Sequence, residues 1–185
     1  MTVKRNITVW LPALLWVSAA AGSPGAAPPP QNISAAPVPC HLRAYVIDPD
    51  PQGLNVRRGP GKTYDVIARL KASDQVIVLI TGGSGNWMKV EGANAVGDTP
   101  VYEGAGWAYG PMLGLTTRYN GKGPRREVLV FKEPRAGSEV VGRIAEEVEV
   151  AVTGCKDDWV KIRYRSVEGW LDRGSQCGNP VTTCP

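Results

Sequence analysis

Apolar and polar positions alternate along much of the chain with the period of a β-strand. Residues 159–164 (WVKIRY) alternate through the whole segment, and residues 148–152 (VEVAV) place Glu149 on the polar side. Residues 76–80 (VIVLI) form a continuous β-branched and aliphatic run, which is typical of a buried strand. Turn-forming residues separate these segments, as at 59–61, 156–158 and 166–169. The pattern predicts an all-β chain of short strands.

The second half of the chain repeats the first. Residues 54–70 align with residues 128–144, Trp87 with Trp159, and Trp107 with Trp170. Copy one also carries an insertion between residues 91 and 105 that copy two lacks. Fixed-period similarity of this kind indicates duplicated structural units. About five short strands in roughly 60 residues bury a core only by curling, so we expect two small β-barrels in tandem.

Four segments of copy one carry a resemblance to a known family. They are residues 54–61 (LNVRRGPG), 66–70 (VIARL), 86–90 (NWMKV) and 106–108 (GWA). Together they resemble the bacterial SH3-like domain, whose pattern is Leu-Asn-Val-Arg-x-Gly-Pro-Gly, an apolar strand, Trp-x-x-Val and a closing Gly-Trp-Val. Copy two keeps the strands, the Trp pair and the Gly-Trp, but replaces the opening motif with residues 128–134 (VLVFKEP). The resemblance implies two tandem SH3-like barrels that act as a recognition module, often towards peptidoglycan and often tethered to a cell-wall hydrolase.

The N-terminus has the pattern of an export signal. Lys4 and Arg5 precede an apolar stretch over residues 7–17, and residues 17–21 (VSAAA) offer small residues for cleavage. The stretch is shorter than the ~20 residues that span a bilayer, so we favour a cleaved signal peptide over a membrane helix. We expect a periplasmic or secreted protein whose mature chain has no membrane span.

The composition of the chain predicts the remaining domain and linker boundaries. Residues 23–39 are Pro/Ala-rich without apolar periodicity and are predicted to be a disordered linker. The first domain is expected at 40–115, a second linker at 116–126, and the divergent second domain with a Cys-rich tail at 127–185. The dense basic run, residues 122–126, falls in that linker, so nucleic-acid binding is not expected.

Four cysteines lie beyond the signal sequence, and an even number in an exported chain predicts two disulfides. A zinc site is disfavoured because His41 is the single histidine and no Cys-x-x-Cys occurs. We favour Cys155–Cys177 with Cys40–Cys184, a pairing that would fix the two copies relative to each other. Pairing Cys177 with Cys184 instead would close a short local loop and leave the domain orientation free.

The sequence provides little for catalysis. A cysteine peptidase needs a thiolate beside a positioned imidazole, and His41 adjoins a cysteine that is expected to be in a disulfide. Adjacent acids such as Asp157 and Asp158 are typical turn formers. No Gly-x-Ser-x-Gly elbow occurs, and too little chain remains beside the two copies for a hydrolase. We expect no enzyme activity, no cofactor and no metal.

The four Trp of the two copies occupy matching positions, and this predicts a structural role in filling each core. The alternative is that an edge of Trp107 lines a groove with three tyrosines that have no aromatic counterpart in copy two: Tyr64, Tyr102 and Tyr109. These lie beside the copy-specific insertion, which makes copy one the expected ligand binder.

Arg57 in the opening motif completes the candidate ligand site. Its guanidinium could bind a carboxylate of a peptide stem through forked hydrogen bonds, although a solvated loop arginine is the more ordinary role. The predicted function is recognition of peptidoglycan or its peptide stems in the cell envelope. The alternative is a periplasmic protein–protein adaptor or assembly factor whose partner is an envelope protein.

Overall fold

The computed structural model describes residues 36–182 and residue 184. The predicted signal peptide (1–22) and residues 23–35 of the predicted linker lie outside the described residues. Strands and short 3-10 turns make up the regular structure of the described chain, so the all-β prediction is confirmed. None of the described helical segments is long and apolar enough to cross a membrane.

Thirteen strands form the described chain. The first seven are β1 (Val38–Val46), β2 (Leu54–Arg57), β3 (Val66–Leu70), β4 (Ile77–Ser84), β5 (Trp87–Ala95), β6 (Thr99–Tyr109) and β7 (Leu113–Thr117). The other six are β8 (Glu127–Phe131), β9 (Val140–Ala145), β10 (Glu149–Lys156), β11 (Trp159–Tyr164), β12 (Val167–Leu171) and β13 (Gln176–Cys177). The 3-10 turns are Ala72–Asp74, Gly110–Met112, Pro124–Arg126 and Arg173–Ser175.

All strands join one sheet, in the order β3-β2-β6-β5-β4-β1-β7-β10-β11-β12-β8-β9, with β13 paired to β7. Its end strands, β3 and β9, do not pair within the described chain, so the sheet is open. Two separate closed barrels were expected. The single sheet arises because β7 pairs with β1 of copy one and with β10 of copy two.

Strand register confirms the internal repeat. Leu54 pairs with Leu70 in copy one, as Val128 pairs with Ile144 in copy two. The equivalent closing pairs also agree: Val90 lies opposite Gly106, and Ile162 lies opposite Gly169.

Strand β7 connects the copies. Its Gly114 lies opposite Tyr45 of β1, and its Leu115 lies opposite Val150 of β10. The expected linker at 116–126 therefore begins inside this strand, because the buried side chains of Leu113, Leu115 and Thr117 make it part of the core. The predicted linker at 23–39 also ends inside a strand, because residues 38 and 39 belong to β1.

Aliphatic side chains fill the core. Its largest fully buried members share inward positions of the strands and include Leu70, Ile80, Met88, Leu113, Leu115, Ile162 and Leu171. The prediction that the four Trp fill the cores is wrong, since each is half-buried and none belongs to the core cluster. Strand alternation explains this: Met88, Val90 and Ala108 point inwards, which turns Trp87 and Trp107 outwards.

Both expected disulfides form, but the favoured pairing is wrong. Cys40 is bonded to Cys155, and Cys177 is bonded to Cys184. The bond between the copies is therefore Cys40–Cys155, whereas the tail closes the short local loop that was the alternative.

The path of β1 explains the pairing. Its first residues run beside the β10–β11 turn, where the Asp157 N–H donates to the Pro39 carbonyl at 2.8 Å. The His41 N–H in turn donates to the Asp157 carbonyl at 3.0 Å. These backbone bonds bring Cys40 next to Cys155, with 5.8 Å between their Cα atoms, although they lie 115 positions apart in the chain.

Candidate functional site

The outward face of copy one presents aromatic and basic side chains together. Trp107 of β6 lies opposite Arg57 of β2 on one side and Lys89 of β5 on the other. Tyr109, two residues further along β6, lies opposite Trp87 of β5. Directly opposed residues point to the same face of a sheet, so these five side chains form one surface, which we call the aromatic face.

Contacts within the aromatic face fix part of it. The rings of Trp87 and Tyr109 pack with centroids 5.4 Å apart and an interplanar angle of 55°. Both rings border a shallow cavity of about 160 Å³, to which Arg57 and Lys62 also contribute. This contact holds the Trp87 and Tyr109 rings in place, and both residues remain partly exposed.

Tyr64 is linked to this surface through its backbone. The Arg57 Nη1 donates a hydrogen bond of 2.7 Å to the Tyr64 carbonyl oxygen. The Tyr64 ring lies against Gly59, where a Cβ would come within 2.5 Å of the ring, and the residue remains 44% exposed. Because a guanidinium has five N–H donors, Arg57 keeps donors available for a ligand.

Tyr102 lies on the opposite side of β6 from the aromatic face. It packs against the core, and its hydroxyl covers Gly106, where a Cβ would lie 2.9 Å from the oxygen. Burial raises the pKa of this phenol. Tyr102 has the same parity along β6 as the inward residues Gly106 and Ala108, so the period of two alone separates it from Trp107 and Tyr109. The prediction grouped these residues by their position beside the insertion and did not apply that alternation.

Copy two has an equivalent face with different chemistry. Trp170 lies opposite Phe131 and Lys161, and the Phe131 ring packs edge-on against Trp159 at 5.6 Å. Phe131 occupies the position of Arg57, so the arginine is specific to copy one.

Trp87 and Lys89 were not among the predicted site residues. Strict alternation with buried Met88 and Val90 was the signal that could have identified them.

Comparison with known proteins is consistent with the repeat. Residues 50–97 and residues 128–175 each match a family model described as the bacterial SH3 domain. These matches together cover just over half of the chain.

A relative and two solved structures are also similar. YrvJ of Bacillus subtilis (strain 168), whose name proposes an N-acetylmuramoyl-L-alanine amidase, is 23% identical over 123 residues. This alignment covers 64% of the chain but only 23% of YrvJ. The structures of NlpC1 and NlpC2 from Trichomonas vaginalis are both 12% identical to this chain. The NlpC1 alignment covers 77% of this chain and 48% of NlpC1. The NlpC2 alignment covers 74% of this chain and 47% of NlpC2. Their TM-scores of 0.31 and 0.30 support no conclusion about fold or function.

Each family match falls within one of the two copies that the sequence repeat and the strand register define. The chain therefore belongs to the bacterial SH3 domain family and carries two such domains in tandem.

Proposed function

We propose that this protein is a binding module of the cell envelope that recognises peptidoglycan or its peptide stems. The observation that carries the proposal is the aromatic face of copy one, where Trp107, Trp87 and Tyr109 lie beside Arg57 and Lys89. Partly exposed rings supply amphipathic contact area, and arginine binds carboxylates through paired hydrogen bonds. The name of YrvJ adds support, because an N-acetylmuramoyl-L-alanine amidase is named for a peptidoglycan linkage.

The proposal includes action by binding alone, outside the cytoplasm. All four cysteines are in disulfides, and this supports an oxidising compartment and leaves no thiolate for nucleophilic attack. Export through the predicted signal peptide, as a periplasmic or secreted protein, is part of the same proposal.

Co-sedimentation of the oxidised protein with purified peptidoglycan tests the proposed site. Trp107→Leu and Arg57→Gln should each weaken saturable pelleting by about tenfold, because each removes a central aromatic or charged contact. Tyr102→Phe is the matched control within β6, since it removes only a hydroxyl on the core side. Trp170→Leu makes the same substitution at the equivalent position of copy two and should leave pelleting unchanged.

Two results would contradict the proposal. One is pelleting no greater than that of an unrelated protein of similar charge. The other is equal loss in Trp107→Leu and Tyr102→Phe, which would indicate a general disturbance of copy one rather than a ligand site. Circular dichroism of each variant distinguishes a folded protein that does not bind from an unfolded one.

Exposed apolar residues on the end strands favour the adaptor as a second candidate. Val66 and Ile67 on β3 are 40% and 37% exposed, and Val140 and Val141 on β9 are 39% and 43% exposed. Unpaired strand edges accept an added strand from a partner. Two results together would favour this function. The protein would not be retained on peptidoglycan, and it would bind an envelope protein whose binding is lost in Val66→Lys or Val140→Lys.

A further inference from the structure

A basic groove lies where the two copies meet. Its volume is about 400 Å³, and its lining includes three arginines and a histidine: Arg43, Arg118, Arg173 and His41. Among the described residues, no aspartate or glutamate lines it. Leu79, which is 45% exposed, provides an apolar side to the same groove. We call this the junction groove.

Elements of both copies and the C-terminal tail hold the groove together. Arg43 on β1 lies opposite Leu79 on β4, so their side chains share one face of copy one. Arg118 directly follows β7, and its N–H donates to the Ser175 carbonyl of copy two at 3.0 Å. Gly178 of the tail lies so close to β1 that a Cβ there would overlap the Arg43 carbonyl oxygen.

The charges of the groove are only partly compensated. Arg173 donates a hydrogen bond of 2.9 Å to Asp158. Within the described residues, the guanidiniums of Arg43 and Arg118 have neither an ion pair nor a side-chain hydrogen bond. Neighbouring like charges repel each other, and a bound anion would offset that repulsion. Arg118 is also half-buried, which strengthens its interaction with any anion inside the groove.

The groove continues towards the insertion of copy one. A second cavity of about 140 Å³ shares Arg43 and Leu79 with it and is lined further by Gly92, Asn94 and Asp98 of the β5–β6 hairpin. Among the described residues that line the two cavities, Asp98 is the one acidic residue, and it lines the second cavity. Because like charges repel, Asp98 would disfavour an anionic group at that end and favour its binding in the arginine-lined part.

We propose that the junction groove binds an oxyanion, a carboxylate or phosphate group, between Arg43 and Arg118. Forked guanidiniums bind both groups through charge-assisted hydrogen bonds. The site uses residues of both copies and does not include the aromatic face, so it stands independently of peptidoglycan recognition through copy one.

Amide NMR of the oxidised full chain tests this site, with inorganic phosphate and citrate as separate probes and sodium chloride at equal ionic strength as the reference. Either probe should shift the amides around Arg43, Leu79 and Gly178 saturably. Arg43→Gln and Arg118→Gln should each weaken that binding by about tenfold, the loss of one charge-assisted contact. Arg165→Gln, an exposed arginine stacked on Tyr164 in copy two, is the matched control and should bind as the unchanged protein does.

The two probes also distinguish the source of the oxyanion. A response to phosphate alone assigns a phosphate ligand, and a response to citrate alone assigns a carboxylate. Shifts that neither saturate nor exceed those in chloride would overturn the proposal. So would unchanged affinity in both Arg43→Gln and Arg118→Gln, provided that their spectra retain the dispersion of the folded protein.

Discussion

Asp172 is a buried carboxylate at the position in copy two that Tyr109 occupies in copy one. It accepts hydrogen bonds from Asn120 at 2.9 and 3.0 Å and from the Ser175 hydroxyl at 2.8 Å, and it forms a salt bridge with Lys122. Burial favours the neutral acid, but the hydrogen bonds from Lys122 and Ser175 outweigh it, so the pKa of Asp172 is lowered. This network holds residues of the predicted solvated linker against copy two.

Asp172→Asn should lower the free energy of unfolding by about 2 kcal/mol at pH 7, since it removes a partly buried ion pair and an acceptor. A carboxyl group whose pKa is lowered by folding stabilises the fold at pH values above its ordinary pKa of 3.8. That contribution disappears as the pH falls through the lower folded-state pKa. The difference between the two proteins in urea unfolding should therefore shrink below about pH 4.

Glu139→Gln is the matched control for Asp172→Asn. It breaks the Lys132–Glu139 pair, in which both side chains are mostly exposed, and should leave the urea unfolding midpoint nearly unchanged because solvent screens such a pair. Equal effects of the two substitutions would show that the Asp172 network adds no more than a surface ion pair.

At the scale of elements, β7 determines how the copies combine. It pairs with β1 of copy one, with β10 of copy two and with the terminal strand β13. Thr117 at its end is buried, and its hydroxyl donates to the Ala145 carbonyl at 2.8 Å. A strand bonded on both sides to different copies couples their unfolding.

Leu115→Ala should destabilise both copies together by about 2–5 kcal/mol, because Leu115 is fully buried in the shared strand. Hydrogen exchange at the amides of Val56 and Ile162 measures each copy separately, and protection should fall by the same factor at both. Val140→Ala on the exposed face of β9 is the control. Loss of protection at Ile162 alone would show that the copies unfold independently.

At the scale of the whole molecule, the two disulfides constrain very different lengths of chain. Cys40–Cys155 spans 115 positions, whereas Cys177–Cys184 spans 7. In the chain-entropy model, the long loop contributes about 5 kcal/mol and the short loop about 2 kcal/mol.

Replacing Cys40 and Cys155 with Ala should therefore lower the unfolding midpoint in urea more than replacing Cys177 and Cys184. Circular dichroism in parallel urea titrations measures both double variants under the same conditions. A larger loss from the Cys177/Cys184 pair would show that the tail loop stabilises the native state through contacts rather than through chain entropy.

The sequence by itself determined the local features of this protein. Alternation, turn residues and the repeat predicted the strands and the two family domains, because these depend on periods of two and on short-range turn chemistry. It also predicted Arg57, Trp107 and Tyr109 as ligand-site residues, and the structure places these three on one face.

Only the tertiary structure decided the long-range features. The Cys40–Cys155 bond, the shared role of β7 and the junction groove each depend on contacts between residues far apart in the chain, which no local period encodes. Alternation separated the Trp residues from their aliphatic neighbours, but only packing decided which side of each strand faces the core, because compact aliphatic side chains fill it.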